Sequence, residues 1–420
     1  ELTSNQVDSK RFRTEYTFHR DASGTPTNVH EIKRLKDDDS FQTTSLNYDS
    51  KNRLTLVTYA DGQKIHLKYE NGSLYWNHIY RELDGGESPY LNYHVGYDQH
   101  GNINQVTDAK SQTTSLVYDD LGRVIEVTNA LNEKSYYRYQ GHLLSEVEFG
   151  ATTEKGEGQV YSLIYTSKGE FTELKRKSES GIFEILQTYA YDAQGNVVSV
   201  TDALNRQWSY TYDYLQRITK ITDPVSFATE YQYDTLGNVT YVKDAEGKEV
   251  NYTYDALSQL VRMEEYLDQR VLSTLIGYDP LGNVTSVTDP KENTYLYDYN
   301  RLSLKVSETK PLGQSIQFFY DQRNRVAKLI DEKNQRIEHD YEPWGGRAHT
   351  KLFETLAATA PIKTYTNSYD YQGNLSAVTD GSASFTMLYD QLNRLDSYSS
   401  TAFSPNYQID YDYDRYGNTS

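Results

Sequence analysis

The sequence predicts an all-β fold: a long antiparallel meander of about 16 hairpins, coiled into a spiralling shell or open barrel. Three observations predict it. Tyr-Asp recurs along the 420 residues, most often every 21, and a fixed period in this range marks a repeat architecture. Each interval holds two turn signals and two stretches of period-two alternation, which are hairpin signatures. A sheet of so many strands must twist, and a twisted sheet curls around a space.

The pair stands at Tyr97-Asp98, Tyr118-Asp119, Tyr191-Asp192, Tyr212-Asp213, Tyr233-Asp234, Tyr254-Asp255 and Tyr278-Asp279. It returns at Tyr320-Asp321, Tyr369-Asp370 and Tyr389-Asp390. Residues 233–253, YDTLGNVTYVKDAEGKEVNYT, show one unit in order. Asp234 to Gly237 is a turn: Asp accepts a hydrogen bond from the backbone two residues on, and Gly tolerates positive φ. Val239 to Val242 is a short β-branched strand. Asp244 to Gly247 is the second turn, and Val250, Tyr252 and Tyr254 then share one face of the second strand. Trp208, Tyr210 and Tyr212 repeat that alternation, as do Tyr295, Tyr297 and Tyr299, then Ile316, Phe318 and Tyr320, and last Tyr407, Ile409, Tyr411 and Tyr413. The only helical signal is a turn or two over residues 353–360.

Residues 1–45 lack Tyr-Asp but alternate at Phe12, Thr14, Tyr16 and Phe18, ahead of an Asp-Ala-Ser-Gly turn at 21–24. They read as a degenerate starting repeat or cap, and 46–420 as one continuous repeat array. The spacing slips to 28 residues between Tyr69 and Tyr97 and again between Tyr341 and Tyr369, and to 26 for two units between Tyr139 and Tyr191. The extra residues gather at 82–89, 151–158 and 355–361, and insertions of this kind map to loops. Turns ending in Gly-Asn (101–102, 195–196, 237–238, 282–283, 373–374, 417–418) tend to alternate with turns carrying Arg123, Arg217, Arg301, Arg325 or Arg394. This suggests a double unit in which each Arg reaches a neighbouring Asp or carbonyl and staples adjacent hairpins.

Composition narrows the function. Tyrosine is the outlier, at 41 residues, and a Tyr-rich interior suits partly wet or cavity-lining faces. The net charge of −18 argues against nucleic-acid binding, which needs a basic stripe. Without cysteine there is no disulfide, thiolate metal site or thiol nucleophile. No apolar run reaches the length of a membrane-spanning helix. The termini suggest a fragment or processed product of a longer protein, since the chain opens without Met and stops inside a repeat at 413–418.

No catalytic constellation emerges. His94 and His100 are the closest histidine pair and lack metal-ligand spacing. There is no G-x-S-x-G elbow, and the Gly156 and Gly158 pair lacks the rest of a dinucleotide motif. Asp108, Asp202, Asp223, Asp244, Asp289, Asp331 and Asp380 repeat with the second turns. They read as turn formers rather than calcium ligands, because the glycine-rich nonapeptide of calcium β-rolls is absent. Asp37 to Asp39 read as a solvated loop. Trp76, Trp208 and Trp344 are the candidate ligand-stacking residues, since Trp faces stack on sugar rings. No cofactor or metal is expected.

The string Y-D-x-x-G-N/R-V/L-x-x-V-T-D-A/P carries a family resemblance. YDDLGRVIEVTNALNEK (118–134) and YDPLGNVTSVTDPKEN (278–293) show it most fully, and it extends over nearly the whole chain from about residue 40. It resembles the YD repeat of the Rhs family, shared by Rhs proteins, the C component of insecticidal Tc toxins and teneurins. The resemblance implies a β-sheet spiralling into a hollow shell that holds a toxin until delivery or, in teneurins, belongs to an adhesion ectodomain. Some members are thought to bind carbohydrate. The family's D-P-x-G-L-type aspartyl autoprotease segment has no match here, and Asp279-Pro280-Leu281-Gly282 is an ordinary repeat turn. The expectation is therefore a non-enzymatic shell segment, a scaffold around a polypeptide cargo such as a toxin domain, from a secreted or cell-surface bacterial protein. Its partners would be the enclosed cargo or adjoining shell segments. The alternative is an extracellular carbohydrate- or protein-binding adhesion module.

Overall fold

A computed structural model describes residues 14–20, 23, 25–36, 40–70, 73–83, 86–88, 92–151, 158–267, 270–402, 406–413 and 419. Among these there are 36 strands and no helix. The strands follow one another as an open antiparallel meander, with Thr14–Arg20 and Tyr407–Asp410 outermost. The all-β meander read from the sequence is borne out. Phe12, Asp37 to Asp39, Gly156, most of the 21–24 turn and the motif at 414–418 lie outside the described residues.

The chain divides into two compact units. One holds Glu1–Arg123, Val127–Asn132 and Tyr297–Ser420; the other holds Val124–Glu126 and Glu133–Leu296.

The second unit shows the repeat at its most regular. Gln207–Tyr212, Ile218–Thr222, Ala228–Tyr233, Val239–Lys243 and Glu249–Tyr254 pair in succession. Directly opposed residues share a face. On one face Tyr210 opposes Ile221, Tyr231 opposes Val242, and Val242 opposes Val250. The other face is charged, with Lys220 3.0 Å from Glu230 and Lys243 3.1 Å from Glu249. Pairing by period two thus separates a Tyr/Val/Ile face from a Lys/Glu/Thr face. Each strand that ends in the pair's tyrosine also slips register there, as between Gln232 and Tyr233. That bulge lets the five-residue turn fit an antiparallel ladder.

Most strand residues are half-buried, as expected of a single sheet layer. The buried apolar residues concentrate beside the three insertions. Tyr80 and Val95 flank the first, Val147, Ala151 and Val160 flank the second, and Ala348 and Phe353 flank the third. Extra length therefore goes with local core.

The helical turn expected over residues 353–360 does not form. Phe353 closes the strand Arg347–Phe353, and bends and turns follow. The Arg336 guanidinium takes the Leu356 and Ala358 carbonyls, each at 2.8 Å, and its cation lies 3.9 Å from the Phe353 ring centroid. Carbonyls that a helix would pair internally are held from outside, and Pro361 lacks the N–H to continue one.

Candidate functional site

The first-type turns are built from one aspartate. In Asp234 to Asn238, the Asp234 N–H donates to the Asn238 carbonyl at 2.9 Å, and the Gly237 N–H donates to the Asp234 carbonyl. Asp234 Oδ1 accepts the Leu236 and Asn238 N–H groups at 2.9 and 2.8 Å. Oδ2 accepts the Asn238 side-chain amide at 2.8 Å. The fourth residue sits in the left-handed region: Gly237 has φ 96°, and Gln216 and Ser258 hold the same place at 62° and 61°.

The fifth residue explains the Gly-Asn and Arg alternation. Asn102, Asn196, Asn238, Asn283 and Asn374 all return a side-chain amide to the aspartate of their own turn. Arg123, Arg217, Arg325 and Arg394 occupy the same place and do the same through Nε at 2.7–2.8 Å. The aspartate an Arg reaches is thus its own, and the expected staple to the neighbouring hairpin is made to a backbone carbonyl where it forms. The link onward is to the next tyrosine: Arg217 lies over the Tyr233 ring at 4.4 Å and Arg325 over Tyr341 at 4.2 Å. Arg217 also donates to the Asp234 carbonyl of the next turn at 3.0 Å. Arg301 departs from this plan. It is the second residue of its turn and donates to the Lys36 carbonyl at 3.1 Å.

The tyrosine of each pair ties down the hairpin before it. Its phenol donates to the carbonyl of the residue just past the preceding turn. Tyr118 reaches Ile103, Tyr212 reaches Val197, Tyr233 reaches Ile218, Tyr254 reaches Val239 and Tyr320 reaches Lys305, all between 2.6 and 2.9 Å and 15 residues back. Tyr389 does the same to Leu375 at 3.1 Å. Where the spacing is irregular the reach lengthens. Tyr97 donates to Trp76, Tyr191 to Phe171, Tyr278 to Leu260 and Tyr369 to Arg347. Burial pushes the Tyr212, Tyr233 and Tyr254 phenols up. The side-chain bond from residue 238 holds the Asp234 carboxyl below the usual range, and the Arg123 guanidinium does so for Asp119.

Within the first unit, turns of a later stretch of the sheet meet turns of an earlier one. Arg323, at the tip of the Tyr320-Asp321 turn, pairs with Asp61 and donates to Gln63. Gln372, from the Tyr369-Asp370 turn, donates to Asp108, and Lys110 Nζ lies 2.6 Å from Asp370. Arg81 approaches the Pro343 carbonyl at 3.4 Å, and Gln42 bonds to Gln322 and Asn324. Most of these partners stand 260 to 265 residues apart, so the offset is nearly constant along the seam. Tyr-Asp turns of the later segment face second-type turns of the earlier one. Arg323 and Asp61 side chains are only 14 % and 19 % exposed. A cavity of about 570 Å³ opens beside them, lined by Phe41, Leu302, Leu304, Phe318 and neighbours, and another of about 420 Å³ is lined by Arg34, Tyr59, Arg81 and Arg323.

The tryptophans have separate surroundings. Trp76 opens a strand and lends its carbonyl to Tyr97. Trp208 lies in the strand Gln207–Tyr212, 5.9 Å from the Arg206 cation. Trp344 sits in a turn rather than a strand, edge-on to Tyr369 at 4.8 Å. His94 stacks on His78 of the neighbouring strand at 3.9 Å, so its ring partner is not His100. Among the described residues no group of three His, Cys, Asp or Glu could hold a metal ion. No helix among them is long and apolar enough to cross a membrane, which says nothing of β-barrels.

These features define a class: a repeat β-sheet whose turns are its joinery. The Teneurin YD-shell family model matches residues 146–341 and the RHS Repeat model matches residues 96–147. The chain is an Rhs/YD-repeat protein. Among solved structures it is similar to TcdB2-TccC3 without its hypervariable C-terminal region, at 13% identity and TM-score 0.50, covering 94% of this chain and 26% of that one. It is also similar to the Tc holotoxin pore of Photorhabdus luminescens, at 14% identity and TM-score 0.48, with the same coverage of 94% and 26%. The chain therefore spans about a quarter of the solved chains it matches. None of the curated proteins compared with it matches.

Proposed function

We propose that this chain is a wall segment of an encapsulating β-shell, a non-enzymatic scaffold around a polypeptide in a secreted or surface-delivered bacterial protein. The observation that carries this reading is the seam in the first unit. A sheet whose later turns fasten to its earlier turns, mostly at 260 to 265 residues, is joined turn to turn like successive courses of a wall. The Tyr face and the carbonyl-capping phenols suit a scaffold, and the repeated carboxylates are occupied in their own turns rather than gathered for catalysis. The solved neighbour with TM-score 0.50 supports the fold of such a wall.

The test is limited proteolysis of the protein as natively encoded. A segment outside residues 14–413 should resist digestion by a large protease, and Asp61→Arg, which opens the seam, should expose it. If every such segment is cut equally fast with the seam intact and opened, the reading fails. Specific binding on a glycan array, lost in Trp76→Ala or Trp344→Ala, would replace it with an adhesion module.

A further inference from the structure

The chain is strongly acidic, yet the seam concentrates arginine. Arg34, Arg81 and Arg323 line the cavity of about 420 Å³, together with Tyr59, Thr44 and Ile32. Arg325 stands close by: a Cβ built on Gly345 would lie 4.0 Å from Nη1 of both Arg323 and Arg325. The nearby carboxylates are committed. Asp61 pairs with Arg323, and Asp321 takes the Nε and Nη2 of Arg325, each at 2.7 Å. Among the described residues, four cations thus stand near two anions.

The donors are under-used as well. Arg81 Nε and Arg325 Nη1 are buried without a hydrogen-bond acceptor among the described residues. Arg323 Nε is taken up by the Asp61 carboxylate. Gln63 Oε1 is shared between Arg81 and Arg323. Burial, and then Arg323, hold the Arg81 guanidinium below its ordinary value, and burial does the same for Arg323. Buried charged N–H groups without acceptors are costly, and like charges so placed repel. A tetrahedral oxyanion resolves both at once: it carries the missing negative charge and offers several acceptors to fork-shaped donors.

We propose that this cavity is a binding site for a small oxyanion of the phosphate class, held by Arg81 and Arg323 with Arg34 and Arg325 supplying field. The site uses groups from both sides of the seam, so the bound anion clamps the strand Trp76–Leu83, which carries Arg81, to the turn at 321–325. This inference rests on the first unit alone and is independent of what the wall encloses.

Inorganic phosphate is the probe, titrated calorimetrically into the full chain against sodium chloride of matched ionic strength. Saturable binding to one site is expected, with sulfate competing and acetate weaker. Arg81→Gln and Arg323→Gln should each weaken phosphate by about tenfold, as loss of a charged hydrogen bond requires. Arg323→Lys should bind between the two, because it keeps charge but loses the fork. Arg206→Gln, at a turn arginine whose side chain is 58 % exposed, should leave affinity unchanged. Circular dichroism of each variant checks that it folds, and broadening of the phosphate ³¹P resonance by the unaltered chain gives a second readout that needs no variant. Heat no greater than that of chloride, together with an unbroadened ³¹P line, would overturn the site. Equal weakening by Arg206→Gln and Arg81→Gln would overturn it too.

Discussion

A tyrosine that recurs every 21 residues could be kept for its ring or for its hydroxyl. The ring explains the shared face, and the bond from Tyr233 to the Ile218 carbonyl at 2.7 Å explains why Phe does not serve equally well there. Tyr233→Phe should therefore cost about 1 kcal/mol, read as a lower urea midpoint at unchanged slope. Tyr214→Phe, at a turn tip where Tyr214 is 89% exposed, should change little. The same residues set the pH profile. The Asp98, Asp119, Asp192 and Asp234 carboxyls are lowered, chiefly by their side-chain hydrogen bonds, so their contribution is present above the unfolded carboxylate range and lost as pH falls through the lower folded values. The Tyr212, Tyr233 and Tyr254 phenols are raised by burial, so their contribution is present below the unfolded value and lost as pH climbs beyond it. The urea midpoint should be flat near neutrality, then decline below about pH 4 and above about pH 10. A profile still flat at pH 3 would contradict the turn geometry. The sequence displayed the tyrosines but not their acceptors, because a backbone carbonyl carries no residue identity.

At the scale of the turn, much was legible. Asp at the first place and Gly at the fourth state their own geometry, and Asp234 and Gly237 adopt it. The role of the fifth residue was half legible: the alternation of Asn and Arg was plain, but their common service to one Oδ2 needed coordinates. A built Cβ at Gly237 meets nothing within 4 Å, so only backbone strain opposes a side chain there. Gly237→Val should thus destabilise by more than 1 kcal/mol, by the estimate of roughly 1–2 kcal/mol per left-handed residue, whereas Gly237→Asn should cost less. Asn52, Asn205 and Asn324 already hold that conformation elsewhere in the chain. Equal urea midpoints for the two variants would count against this account. The one element misread, the helical turn over 353–360, shows the limit of local propensity. Arg336, some 20 residues earlier, removes its carbonyls.

For the whole molecule, the antiparallel meander could be read from period and turns, but the seam could not. Its partners, such as Asp61 and Arg323, look like ordinary turn residues, and roughly 260 intervening residues conceal that they meet. Asp61→Arg should speed hydrogen exchange at the turns 59–63 and 321–325. The swap Asp61→Arg with Arg323→Asp should recover most of the loss, with a coupling of about 0.5–3 kcal/mol in a double-mutant cycle. An additive double variant would mean the pair carries no seam energy. The steady offset has a mechanical meaning. Opposed turns mesh like teeth on a rack whose pitch is one repeat. Extra residues inside a single loop leave the tooth count intact. Deleting one whole repeat between Gln63 and Arg323 would instead slide every later tooth by one position, setting Arg323 against a residue other than Asp61. Such an array can change length only in whole steps, and each step rewrites every contact along its join.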